Sequence, residues 1–118
     1  MKHNLEGPAK RLSAYVGEDM MYDDKPLYQA LVDQARKQGC AGATALRGMV
    51  GFGGSSRDVV KHGLRMSTDC PVLVAVIDEA QRITALAEVW SAMIPAGLVT
   101  VEDVKVVHYS AEGDSPAE

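Results

Sequence analysis

Arg47, Gly48, Gly51, Gly53 and Gly54 fall within eight residues, at the end of a strand-like run from Gly42 to Val50. Such a set can bind an anion. Glycines let a phosphate reach backbone N–H groups, and a guanidinium offers a planar fork to a phosphate or carboxylate. The same residues have a plainer reading. Gly48 would be a strand bulge, and Gly51 and Gly53 a bend into a loop. Arg47 shares a strand face with Ala43, Ala45 and Met49, where an unpaired charge is costly, so it would pair with a carboxylate such as Glu18. No Gly-Lys-Ser/Thr follows, so this is not a Walker-type loop, and no helix opens directly after it as a dinucleotide fingerprint requires.

Other chemistries find less support. Ser55, Asp58 and His62 contain the residue types of a hydrolytic triad without any local signature, and such triads are defined by geometry. No acid and base stand at a defined spacing, so the chain is read as a non-enzyme. Cys40 and Cys70 are thirty residues apart with no Cys or His at metal-ligand spacing beside them, which makes them free thiols. With His62 and His108 they form the candidate ligand set for an alternative reading as a metal-binding module.

The whole chain of 118 residues, with 47% apolar and 24% charged residues, is the size and composition of one globular domain. A formal net charge of −4 without a basic block argues against a general nucleic-acid binder. No apolar run approaches the length needed to span a bilayer. Met1 to Pro8 lacks the apolar core of a signal peptide, so a cytoplasmic location is expected.

These residues need elements to hold them. Residues 1–9 read as a flexible N-terminal arm, 10–109 as the domain, and 110–118 as a disordered acidic tail. Lys10 to Val16 alternates as a strand, with Leu12, Ala14 and Val16 on one side and Arg11, Ser13 and Tyr15 on the other. A helix is predicted from Pro26, a residue suited to the first helical position, to a stop at Gly39, with Asp23 and Asp24 near its positive end. Leu27, Leu31 and Ala35 form its apolar stripe. Gly42 to Val50 is a second strand, followed by a loop from Gly51 to Gly63. Val72 to Ile77 is a third strand, apolar on both faces. Asp78 and Glu79 open a second helix carrying Ile83, Leu86, Ala87, Trp90, Met93 and Ile94 at helical spacing. The last strand lies within Val99 to Tyr109, most securely from Val104 to Tyr109.

Strand, helix, strand, strand, helix, strand is the order of the α+β, ferredoxin-like fold, βαββαβ: a four-stranded antiparallel sheet with two helices on one face. Right-handed crossovers place the first and third strands in the middle. Two helices cover only one face, yet the third strand is apolar on both and the first offers Tyr15 to the second face. The uncovered face is therefore expected to be buried against other copies of the chain.

Arg11-Leu12, Tyr15, Gly17-Glu18, Pro26-Leu27-Tyr28, Ala41-Gly42-Ala43-Thr44, Arg47-Gly48, Gly51-Phe52-Gly53, Leu64-Arg65-Met66-Ser67, Asp69, Pro71-Val72 and Gly97-Leu98-Val99-Thr100 follow in order. Together, from Arg11 to about Tyr109, they resemble domain-of-unknown-function family 190, a family similar to PII signal-transduction proteins. The resemblance implies a homotrimer whose sheets line the centre and an adenine-nucleotide cleft between subunits near the loop base. It implies ligand contacts at Arg47, Gly48, Gly51, Phe52 and Gly53. Gly54, Ser55, Ser56, Arg57 and His62 would then belong to a loop that a partner reads, with a membrane transporter or a fluoride-channel protein as the implied kind of partner. The chain departs from the classical pattern in its short loop, in lacking the modified tyrosine, and in carrying Gly97-Leu98-Val99-Thr100 where a lysine-containing phosphate loop stands. Ser55 and Val59 also replace histidines common in the family. A trimeric structural module without any ligand is the other alternative.

Overall fold

A computed structural model describes residues 5–51 and 70–111. Its elements are β1 (Gly7–Gly17), β2 (Met21–Tyr22), β3 (Lys25–Pro26), α1 (Leu27–Lys37), β4 (Thr44–Arg47), β5 (Pro71–Asp78), α2 (Ala80–Met93) and β6 (Leu98–Val106). The main sheet has the order β4-β5-β1-β6, and every neighbouring pair is antiparallel. The first and third long strands are central, as the ferredoxin-like order requires.

The core lies between this sheet and the two helices. Leu12, Ala14 and Val16 of β1 and Val72, Val74 and Val76 of β5 are buried, opposite Leu27, Ala30, Leu31 and Ala35 of α1 and Ile83, Leu86, Trp90 and Met93 of α2. Period-two burial on the strands meets three-and-four spacing on the helices. Trp90 is fully buried and its indole N–H donates to the Leu31 carbonyl at 3.1 Å, so the largest core side chain also ties the two helices together.

Several boundaries differ from expectation, each for a local reason. β1 opens at Gly7 rather than Lys10, because β6 pairs with it as far as Gly7 opposite Val106. Residues 7–9 therefore belong to the sheet rather than to an arm, and Leu5 is buried ahead of them. β6 runs from Leu98 to Val106, so of the part expected to be securest, Val104 to Tyr109, the first three residues are strand and Val107 to Tyr109 lie beyond the last residue that β1 pairs. His108 is exposed there, and the Tyr109 N–H donates to the Glu6 carboxylate at 3.2 Å. Asp23 and Asp24 precede α1 but belong to a further element that leads into it. They form the turn of a small hairpin, β2 against β3, with Asp23 at φ 54°, a left-handed conformation that Asp tolerates better than most residues. Pro26 sits just outside α1 as its N-cap residue, and Lys25 bonds Asp33 at 2.8 Å to fasten the hairpin to the helix.

The second sheet face carries no helix. The pairing register sets four side chains in one row across it: Leu46 of β4, Leu73 of β5, Tyr15 of β1 and Leu98 of β6. Leu46, Tyr15 and Leu98 are 57%, 45% and 56% exposed. The next row is Thr44, Ala75, Ser13 and Thr100, and beyond it Ile77 stands beside the Arg11–Glu102 ion pair. This face is apolar at the end where β4 leads into the loop and charged at the other.

Candidate functional site

Three chain segments converge at that loop end: the exit of β1, the exit of β4 and the entrance of β5. Strand order places β5 between the other two. The backbone closes the arrangement. The Glu18 N–H donates to the Cys70 carbonyl and the Gly48 N–H to the Pro71 carbonyl, both at 2.7 Å. Proline has no N–H to return, so the β4–β5 ladder ends there. This is why β4 stops at Arg47 instead of running to Val50.

Gly48 and Gly51 have a clear steric reason. A Cβ on Gly48 would lie 2.9 Å from Cγ of Pro71 and 3.2 Å from its carbonyl oxygen, and a Cβ on Gly51 would lie 3.2 Å from the same Cγ. The Pro71 ring occupies the space that side chains at both positions would need. Between them Met49 and Val50 point into solvent.

Arg47 lies opposite Val72, which in turn lies opposite Val16, so it stands on the helix-side face of the sheet. Its Nε donates to Oε1 of Glu18 at 3.0 Å. The pair reaches over the entrance of β5 and joins the two outer segments. Glu18 is the more enclosed partner, with 27% of its side chain exposed against 59% for Arg47. The hydrogen bond to Glu18, then the neighbouring Cys70 thiol, hold the Arg47 proton more tightly than usual. Among the alternatives open on sequence, the carboxylate partner of Arg47 is therefore Glu18. The guanidinium still reaches solvent.

Of the predicted ligand residues, Arg47, Gly48 and Gly51 are brought together around Pro71. Phe52 and Gly53, and the loop residues Gly54, Ser55, Ser56, Arg57 and His62, lie outside the described residues. The segment Leu64 to Ser67 does too. The Gly48 N–H, counted in sequence as an anion donor, is used by Pro71. Sequence reasoning did not identify Pro71 as the wedge that selects the glycines; its adjacency became visible only with the β4–β5 register.

The cysteines are far apart. Cys40 lies near Asp78 at one end of β5, and Cys70 precedes Pro71 at the other. An eight-residue strand spans about 23 Å at roughly 3.3 Å per residue. That is too far for one disulfide or one metal ion. Among the described residues no group of three His, Cys, Asp or Glu side chains is placed to hold a metal. Elsewhere, a groove of about 510 Å³ between α2 and β6 is lined by Ile83, Thr84, Ala87, Glu88, Ser91 and Val101, away from the loop base. No helix among the described residues is long and apolar enough to cross a membrane.

The model of DUF190, an uncharacterized ACR family, matches residues 9–106, most of the chain. The chain belongs to the DUF190 family. A UPF0166 protein of Aquifex aeolicus is 34% identical over 100 residues, covering 84% of this chain and 93% of that protein. A UPF0166 protein of Methanocaldococcus jannaschii is 26% identical over 100 residues, covering 83% and 91%. Among solved structures, this DUF190 chain is similar to a PII-like protein of Thermus thermophilus, with TM-score 0.63, 16% identity and 86% and 91% coverage. It is also similar to CPII of Thiomonas intermedia bound to ADP, AMP and acetate, with TM-score 0.58, 18% identity and 86% and 91% coverage. These likenesses show that the DUF190 chain has the PII-like, ferredoxin-like fold.

Proposed function

We propose that the protein is a homotrimeric PII-like regulator that acts by binding rather than by catalysis. An adenine nucleotide, or another small anionic metabolite, binds in clefts between subunits at the loop base, beside Arg47, Gly48, Gly51, Phe52 and Gly53. The loop after β4 responds, through Gly54, Ser55, Ser56, Arg57 and His62, and a partner reads its state in the cytoplasm. A membrane transporter or channel is the kind of partner the family resemblance suggests.

The observation that carries this reading is the convergence of three segments around an exposed arginine at the loop base. It occurs in a fold shared with a protein seen bound to ADP and AMP. The row Leu46, Leu73, Tyr15 and Leu98 supports assembly, since an apolar stripe across a whole uncovered sheet favours burial against another copy. A ligand moves the loop only if it binds one loop state better than another.

Calorimetric titration of the purified protein with ADP, AMP and ATP tests the ligand. Heat and a thermal shift are expected, and neither at millimolar nucleotide overturns the nucleotide reading. Light scattering tests assembly: a trimer is expected for the wild type and a folded smaller species for Leu46→Asp, whose side chain is exposed in the single chain. A wild-type monomer overturns that part.

One observation favours a second reading, a trimeric scaffold without ligand. Gly48 and Gly51 are required by contact with Pro71 whether or not anything binds.

A further inference from the structure

The ion pair at the loop base joins a fixed acid to an accessible base. Glu18 is held through its own backbone, whose N–H is bonded to the Cys70 carbonyl, and its side chain is largely covered. Arg47 is more exposed, and its hydrogen bond to Glu18 uses Nε. A guanidinium has five N–H donors; the Cys70 thiol engages this group as well as Glu18, and the solvent-exposed donors that remain can still meet an oxyanion. The Gly48 N–H already serves Pro71, which leaves Arg47 as the strongest donor among the described residues at this end of the sheet. An ion pair whose arginine is open to solvent adds little to stability, so replacing one carboxylate by another oxyanion on Arg47 costs the fold little.

We infer that Glu18 is the resting counter-ion of Arg47 and sets the affinity of the loop base for anions: an incoming phosphate or carboxylate takes the guanidinium that Glu18 otherwise neutralises. The inference rests on the reading that an anionic ligand binds at this loop base. It goes further by naming a residue that opposes binding. Glu18 lowers affinity for a charged ligand group and leaves an uncharged one unaffected. It also makes release easy, since Arg47 has a partner waiting.

The test compares wild type, Glu18→Gln, Arg47→Met and the double variant, with ADP, pyrophosphate and adenosine as calorimetric probes. Glu18→Gln keeps an acceptor for Nε but removes the charge. It should tighten ADP and pyrophosphate about three- to tenfold, as expected for removing one like charge a few ångströms from an exposed anion site. Adenosine binding should not move. Arg47→Met should weaken both anions about tenfold or more, and the double variant should show no gain from the Glu18 change. Unchanged melting temperature of Glu18→Gln excludes a folding effect.

Equal or weaker anion binding by Glu18→Gln, with wild type binding ADP, overturns the counter-ion role and leaves the nucleotide reading standing. Pyrophosphate binding that responds to Glu18→Gln while ADP shows no heat does the reverse. No binding of either anion by wild type or Glu18→Gln overturns both. Persistence of the Glu18→Gln gain in the double variant also overturns the inference, because the gain would not pass through Arg47.

Discussion

The two ends of β5 are held by opposite means. At its C-terminal end the Asp78 carboxylate is fully buried and accepts three hydrogen bonds: from the Ala41 N–H at 2.8 Å, the Glu79 N–H at 2.7 Å and Nη1 of Arg82 at 3.2 Å. One side chain thus pins the segment before β4, the start of α2 and an arginine one turn into that helix. At its N-terminal end the joints are two backbone hydrogen bonds, glycines fitted against Pro71, and an exposed ion pair. The first arrangement is expensive to disturb because a fully buried carboxylate is the shared acceptor of two backbone N–H groups and an arginine. The second can exchange one partner for another in water. The difference teaches where this fold can respond to a ligand: at the entrance of β5, not at its exit.

Asp78→Ala should show the largest effect. It strands two backbone N–H groups and leaves Arg82 only its 3.8 Å contact with Glu79, and a loss of about 3 kcal/mol is expected. Asp78→Asn, which keeps one acceptor, should lose less. Urea unfolding checks both. A cost for Asp78→Ala no greater than that of a surface substitution would break the contrast between the two ends.

Gly48→Ala comes next. Its Cβ would meet Pro71 at 2.9 Å, where ring and backbone must both shift, for a cost of about 1–2 kcal/mol. Gly51→Ala, at 3.2 Å from the ring edge alone, should cost less. Pairing Gly48→Ala with Pro71→Ala removes the ring from that contact, so the double variant should recover part of the loss in the same unfolding experiment. Full additivity would mean that the ring is not what selects the glycine.

These two ends also differ in how far they could be read from sequence. The central strands were legible because Leu12, Ala14, Val16 and the run Val72 to Ile77 carry their burial in their alternation. The helices were legible for the same reason, through Leu27, Leu31, Ile83, Leu86 and Trp90. The hairpin of β2 and β3 was not, since two-residue strands have no period to detect. Asp78 was expected to open the second helix, and only the fold shows that it ends β5 as a buried carboxylate bonded to the Ala41 N–H. At the loop base, Arg47 on an apolar face announced that it needed a partner, and Glu18 was among the candidates. The function of Gly48 and Gly51 as room for Pro71 depends on a register some twenty residues away, which no local pattern encodes.

Glu18→Gln should barely move stability, within about 0.5 kcal/mol, because Arg47 is open to solvent and Gln keeps an acceptor for its Nε. That near-silence sharpens the comparison when set beside Asp78→Asn, an equivalent removal of one charge at the other end. A thermal melt of the two variants in the same buffer checks it. A loss for Glu18→Gln as large as that for Asp78→Asn would make the loop base as rigid as the opposite end, and an exchangeable partner there would no longer make sense.

The smallest effect concerns Cys40, beside the closed end. Burial, and then the charge of Asp78, push its thiol above an ordinary value near 9. The folded state therefore keeps a proton that the unfolded chain releases. The sign follows: below about pH 8 the thiol is protonated in both states and contributes no pH dependence. As pH rises past the unfolded value, ionisation favours the unfolded chain and stability falls. Stability measured from pH 8 to pH 10 should thus decline slightly more for wild type than for Cys40→Ala. Alkylation of Cys40 at pH 9 should quicken in Asp78→Asn, where the neighbouring negative charge is gone. An identical pH slope in Cys40→Ala, together with an unchanged alkylation rate, would mean that the Asp78 end is more open to water than its hydrogen bonds indicate.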